Sequence, residues 1–199
     1  ADLSQGYDVG RAEAVAEDQA GQLFVAELVH LSSDPLAPSK MFLWKLDPTG
    51  KPDATFGRGG LVLMNSQTQG NAQASDVVVD ASNRVVVVGH AHEGPTGEDL
   101  YIWRFLPTGA LDLSFAGGTG ILAHSLRANG VATHDYGAAV AIDRHQNIVV
   151  AGRSRLSGNG QVVVWRIDPS GVLDPSFATT GHTLLNPDAL APSEVDVAL

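Results

Sequence analysis

Leu43-Trp44-Lys45-Leu46-Asp47-Pro48-Thr49-Gly50 recurs as Ile102-Trp103-Arg104-Phe105-Leu106-Pro107-Thr108-Gly109, and again as Val164-Trp165-Arg166-Ile167-Asp168-Pro169-Ser170-Gly171. Each copy is followed by an Asp-x-x-Phe segment: Asp53 to Phe56, Asp112 to Phe115, Asp174 to Phe177. The tryptophans lie 59 and 62 residues apart, so the unit is about 60 residues long. A fixed period of this size marks stacked supersecondary units rather than one irregular core.

Punctuation lays out the rest of each unit. A short apolar strand comes first: Ala14-Val15-Ala16, Val77-Val78-Val79, Ala139-Val140-Ala141-Ile142. An aspartate then opens a tight turn (Asp18, Asp80, Asp143), because its carboxylate can accept a backbone N–H two residues on. Gly21 and Asn83 suit the left-handed position of such a turn, and Gln146 suits it less well. A second strand rich in branched residues follows at Leu23–Ala26, Val85–Val88 and Ile148–Ala151, so the pair reads as a hairpin. The tryptophan strand is the third. A fourth follows Gly60, Gly120 and Gly181, at Leu61–Met64, Ile121–Ala123 and Thr183–Leu185. Four strands joined by tight turns make a propeller blade.

The expectation is therefore an all-β, β-propeller-type repeat forming one domain over 1–199. Its three four-stranded blades lie at about 10–64, 74–124 and 137–186. Residues 194–199, Glu-Val-Asp-Val-Ala-Leu, resemble the first strand of a further unit and are expected to pair with another blade. Propellers usually have 4 to 8 blades. The expected partners are thus a second copy, giving six blades in a homodimer, or further blades of a longer chain.

The order Asp-turn, Val-Val-x-Gly, Trp-Arg, Asp-Pro-Ser/Thr-Gly and Asp-x-Ser-Phe resembles the delta-60 repeat, a β-propeller repeat of bacterial exported and surface proteins. The resemblance covers about residues 10–185. It departs at Ala20-Gly21, Ser82-Asn83 and His145-Gln146, where that repeat has Asp-Gly, and at Phe115-Ala116 and Phe177-Ala178, where it has Phe-Gly. It implies a propeller fold and carries no common enzymatic activity.

Composition narrows the function classes. A formal net charge of −10 repels the phosphate backbone, so nucleic acid is not an expected partner. With no cysteine there is no disulfide, thiolate nucleophile or Cys-ligated zinc. Aliphatic runs such as Val85–Val88 are strand length, far below the roughly 20 residues of a membrane helix. The chain opens at Ala1, which fits a removed leader, and a secreted, periplasmic or surface protein is expected.

A residue present in every blade is expected to serve the fold. The tryptophans should pack between blades, and Lys45, Arg104 and Arg166 should clip Asp53, Asp112 and Asp174. Function should sit where the blades differ, in the loops before the first strand and after the second. Those loops carry Asp8, Arg11, Glu27 and His30 in blade 1, and His90, His92 and Glu93 in blade 2. Blade 3 brings His134, Asp135 and Tyr136, with Arg153 and Arg155 in place of the histidines.

His90 and His92 share a face of an extended strand. With His134 and Asp135 they supply imidazole and carboxylate ligands suited to Zn²⁺ or another divalent metal, which would activate a water. The favoured expectation is a non-catalytic module that binds a ligand or protein through His30, Tyr101, Tyr136, Arg153 and Arg155. The alternative is a metal-dependent hydrolase of esters, lactones or phosphoesters with the metal at His90, His92, His134 and Asp135. Against both stands the plainer reading of solvated loop histidines. Glu98-Asp99 read as a solvated loop pair, and His124, His145 and His182 carry no assigned role. No Gly-x-Ser-x-Gly, Walker-type or His-Glu-x-x-His motif occurs.

Overall fold

The computed structural model describes residues 9–30, 40–64, 72–92, 97–128, 131–155 and 160–185. The strand expected at 194–199, together with Asp8 and Glu93, lies outside them.

Three antiparallel four-stranded sheets follow one another along the chain. Blade 1 is β1 (Val9–Glu17), β2 (Leu23–His30), β3 (Lys40–Leu46) and β4 (Leu61–Met64). Blade 2 is β5 (Ala72–Val79), β6 (Val85–His92), β7 (Glu98–Phe105) and β8 (Ile121–His124). A two-residue ladder, β9 (Arg127–Ala128) with β10 (Val131–Ala132), leads to blade 3. Blade 3 is β11 (Asp135–Ile142), β12 (Ile148–Ser154), β13 (Gln161–Ile167) and β14 (His182–Leu185). Within each blade the strands pair in sequence order, and the first strands β1, β5 and β11 lie side by side.

The turn aspartates act as expected. Asp18 Oδ1 accepts the N–H groups of Ala20 and Gln22, Asp80 Oδ1 those of Ser82 and Arg84, and Asp143 Oδ1 those of His145 and Asn147, at 2.8 to 2.9 Å. Gln146 takes the left-handed position with φ 64°, beside 77° at Gly21 and 57° at Asn83. The first strands are longer than expected. Each crosses a β-bulge, at Ala12/Ala14, Ala74/Asp76 and Gly137/Ala139, and continues beyond it. A bulge interrupts the two-residue alternation by which a strand is recognised, so the segments before it read as loop.

In all three blades the tryptophan lies in a row running straight across the sheet. The rows are Val15–Val25–Trp44–Leu61, Val77–Val87–Trp103–Ile121 and Val140–Val150–Trp165–His182. Trp103 is buried against blade 1, in a cluster with Phe24, Leu43 and Phe56. Trp165 is buried against blade 2, with Val88, Ile102 and Phe115. Trp44 belongs to the face of blade 1 turned away from blade 2 and is only partly buried.

The expected clips are present: Lys45 Nζ–Asp53 at 3.0 Å, Arg104 Nε–Asp112 at 2.8 Å and Arg166 Nε–Asp174 at 2.7 Å. Each cation also lies over a ring of its own blade, Phe24, Phe115 and Phe177 respectively. The Thr/Ser of one blade's Pro-Thr/Ser-Gly turn latches onto the preceding blade. Gly57 N–H donates to Thr108 O and Ala116 N–H to Ser170 O, both at 2.8 Å.

Candidate functional site

Residues that differ between blades meet at the ends of β6, β11 and β12, with Tyr136 at the centre. Tyr136 and Arg153 are direct cross-strand partners in the β11–β12 hairpin, so their side chains leave the same face of the sheet. The Arg153 guanidinium carbon sits 4.5 Å from the Tyr136 ring centroid, a cation–π distance. His90, from the end of β6 in the neighbouring blade, meets the same ring edge-on at 4.8 Å. His134 stacks near-parallel to it at 6.3 Å. Arg155 is exposed beside them, and its backbone N–H donates to His134 O at 2.9 Å.

The acid of the group is Glu98, the first residue of β7. The Tyr136 hydroxyl donates to its carboxylate, and burial together with that bond pushes the phenol up to about 12. Glu98 N–H donates to His134 Nδ1 at 3.3 Å, and the Glu98 carboxylate lies 3.8 Å from the same nitrogen. His90 is held below the ordinary imidazole range, chiefly by burial, with Glu98 opposing and Arg153 adding to the effect. Its Nδ1 is buried and meets no partner among the described residues.

The expected metal set is not assembled. Consecutive strand residues point to opposite faces, so Asp135, the first residue of β11, turns away from Tyr136. Asp135 is fully buried, and its Oδ2 accepts Leu126 N–H at 2.7 Å and the Thr133 hydroxyl at 2.8 Å. The Thr133 hydroxyl also lies against Leu126 O, and its one proton serves either acceptor but not both. Burial pushes the Asp135 carboxyl up, against those bonds. Asp135 thus closes the loop that enters blade 3. His92 is exposed opposite Glu98. Among the described residues no group of three His, Asp or Glu is placed to hold a metal ion.

Two other expectations change. Tyr101 lies inside β7, wholly buried with its ring centroid 5.2 Å from that of Trp103; it is a core residue of the blade 1–blade 2 seam, not a ligand contact. Glu98 and Asp99 belong to β7 rather than a loop, and Asp99 is buried. His30 ends β2 opposite Val9, and its side chain lies outside what is described.

The role of Glu98 is not visible in the sequence, where it lies 36 residues from His134 and reads locally as one of two solvated acids. Likewise His124 of β8 and His182 of β14 bring their rings within 6.2 Å across the blade 2–blade 3 seam. No single-blade pattern shows that pair, since the two histidines stand at different repeat positions.

A family model described as a domain of unknown function (DUF5122) beta-propeller matches residues 81–115 and 147–177. Each match runs from the first-hairpin turn through the Trp strand to the Asp-x-x-Phe segment, once in blade 2 and once in blade 3. This supports a β-propeller repeat family, in agreement with the three four-stranded sheets. None of the curated proteins compared with the chain matches it.

Proposed function

We propose that the protein is a non-catalytic binding module of the delta-60 type, and that the Tyr136 cluster is its ligand site. One observation carries the reading: the Arg153 guanidinium lies over the Tyr136 ring with Arg155 beside it, two fixed cations against the one carboxylate of Glu98, on a chain whose net charge is −10. The surrounding acidity would repel an anion everywhere except at such a patch. A guanidinium stacked on an aromatic ring keeps its edge N–H groups for a carboxylate or phosphate. The ligand class is therefore a small anionic molecule presenting a carboxylate or phosphate to the Arg153–Arg155 edge, with Tyr136 and His134 as its aromatic wall. An exported setting is part of the proposal and rests on the repeat resemblance.

Citrate and inorganic phosphate are the first probes, titrated by calorimetry and amide NMR. The Arg153→Ala/Arg155→Ala double variant is expected to weaken binding by about tenfold or more, the scale of losing a charged hydrogen bond. The His92→Ala variant is expected to bind as the parent does. Perturbations spread evenly over the surface, or binding unchanged in the double arginine variant, would sink the reading.

A further inference from the structure

The two seams inside the chain define what a blade face needs, and among the described residues two faces of the same design have no covering blade. In blade 2 the row Val77–Val87–Trp103 is at most 5% exposed, and in blade 3 Val140–Val150–Trp165 is at most 5% exposed, each covered by the preceding blade. The corresponding row of blade 1 has Val15 at 62%, with Val25 and Trp44 only partly buried. Beside it lies a cavity of about 310 Å³ lined by Ala12, Val25, Glu27, Trp44 and Leu46.

The far face of blade 3 is the complementary half. Val149, Val164, Arg166 and Phe177 there are partly exposed, whereas Val86, Ile102, Arg104 and Phe115, at the same positions of blade 2, are at most 2% exposed. Among the described residues the latch is open at both ends too. A Cβ built on Gly109 or Gly171 would strike the preceding blade, at Gly57 N and Ala116 N respectively, but one on Gly50 meets nothing within 4 Å. Ala178 holds φ 49°, like 52° at Ala116 and Gly57, yet among the described residues its N–H meets no carbonyl. Glu27 is the polar departure, standing where blades 2 and 3 have Gly89 and Gly152. Its Oε2 accepts the Trp44 indole N–H at 2.6 Å, so it is bonded within its own blade.

We infer that the Trp44 face of blade 1 is an assembly surface whose occupant is the far face of blade 3 from a second copy of this chain. The fit is argued from the two internal seams: the apolar row meets apolar residues, and the Thr49 carbonyl meets the Ala178 N–H. Because the two faces differ, each contact is heterologous, and two copies close it twice in a ring of twofold symmetry. Two sets of three blades make six, inside the usual 4 to 8.

Light scattering on the intact chain tests this. The expected species has twice the 20.8 kDa chain mass. Val15→Glu places a charge at a residue exposed in the single chain, so it costs the fold little. It should weaken self-association by about 100-fold, since the charge would be buried in the contact. Leu113→Glu, at a residue 65% exposed and outside both faces, should leave association unchanged. Orientation is read from a mixture of Thr49→Cys and Ala178→Cys chains in this cysteine-free protein. The latch contact brings the two backbones within disulfide reach, so the mixture should cross-link while neither variant does so alone.

Four outcomes overturn the inference. They are a monomer with Trp44 open to quencher; a monomer with Trp44 shielded, which would make a segment of the chain itself the occupant; open-ended polymers; and a dimer indifferent to Val15→Glu or joined Thr49 to Thr49. Circular dichroism of each variant separates loss of assembly from loss of fold.

Discussion

At the scale of single residues, the three clips share a sequence pattern and differ in surroundings. Arg104 and Asp112 are 2% and 4% exposed, and Arg104 also donates to Pro169 O at 2.7 Å in the next blade. Arg166 and Asp174, with no neighbouring blade described beyond them, are far more open, at 26% and 17% of their side chains. Removing one partner of a buried pair strands the other charge, whereas exposed pairs contribute little. Asp112→Ala is therefore expected to cost about 3 kcal/mol in a urea melt, and Asp174→Ala to shift the midpoint much less. Equal effects would mean that the pattern, not burial, sets the contribution. The pairing itself was readable from eight-residue spacing. Which clip matters was not, because burial comes from the adjoining blade.

At the scale of elements, the hairpins and the Trp strands were legible because they repeat, and the bulged ends of the first strands were not. That miss carried the site with it. Asp135 and Tyr136 read as loop residues, which made a metal set with His134 plausible, but on a strand their alternation sends Asp135 inward. The glycine before Arg153 belongs to the same bulged region. A Cβ on Gly152 would lie 1.9 Å from Tyr136 O and 3.0 Å from the Trp165 ring, and backbone cannot step aside. Gly152→Ala is expected to destabilise by about 2 kcal/mol or more, the range for overpacking, and to disturb the Tyr136 cluster. Gly117→Ala meets no atom within 4 Å and has only its φ of 68° against it, so a cost of about 1 kcal/mol is expected. Urea midpoints of the two variants decide the point, and a tolerated Gly152→Ala would count against the bulge geometry.

At the scale of the whole molecule, the half-buried histidines and the acceptor aspartates give stability two separate acid limbs. His90 and His124 are both held low, first by burial; Arg153 adds to the effect at His90 and His182 at His124, against Glu98 and Asp99 respectively. The unfolded chain takes up those protons near pH 6.5 and the folded chain only below it. Stability therefore falls as pH drops from about 7 towards 5. Asp47, Asp53, Asp112, Asp143, Asp168 and Asp174 are all lowered, Asp53 to about 2 by the Thr55 hydroxyl and Lys45. Their contribution is complete above the ordinary carboxylate range near 3.8 and is lost as pH falls through their depressed values. Asp135, raised by burial, acts in the opposite sense and blunts this second limb. Urea midpoints from about pH 8 to 3 should thus decline in two stages, spanning the histidine and carboxylate ranges. A His90→Phe/His124→Leu variant should lose the first stage and keep the second. Stability that rises between about pH 7 and 5 would mean that the imidazoles gain partners on charging, and that the seam between blades 2 and 3 is wetter than its buried nitrogens imply.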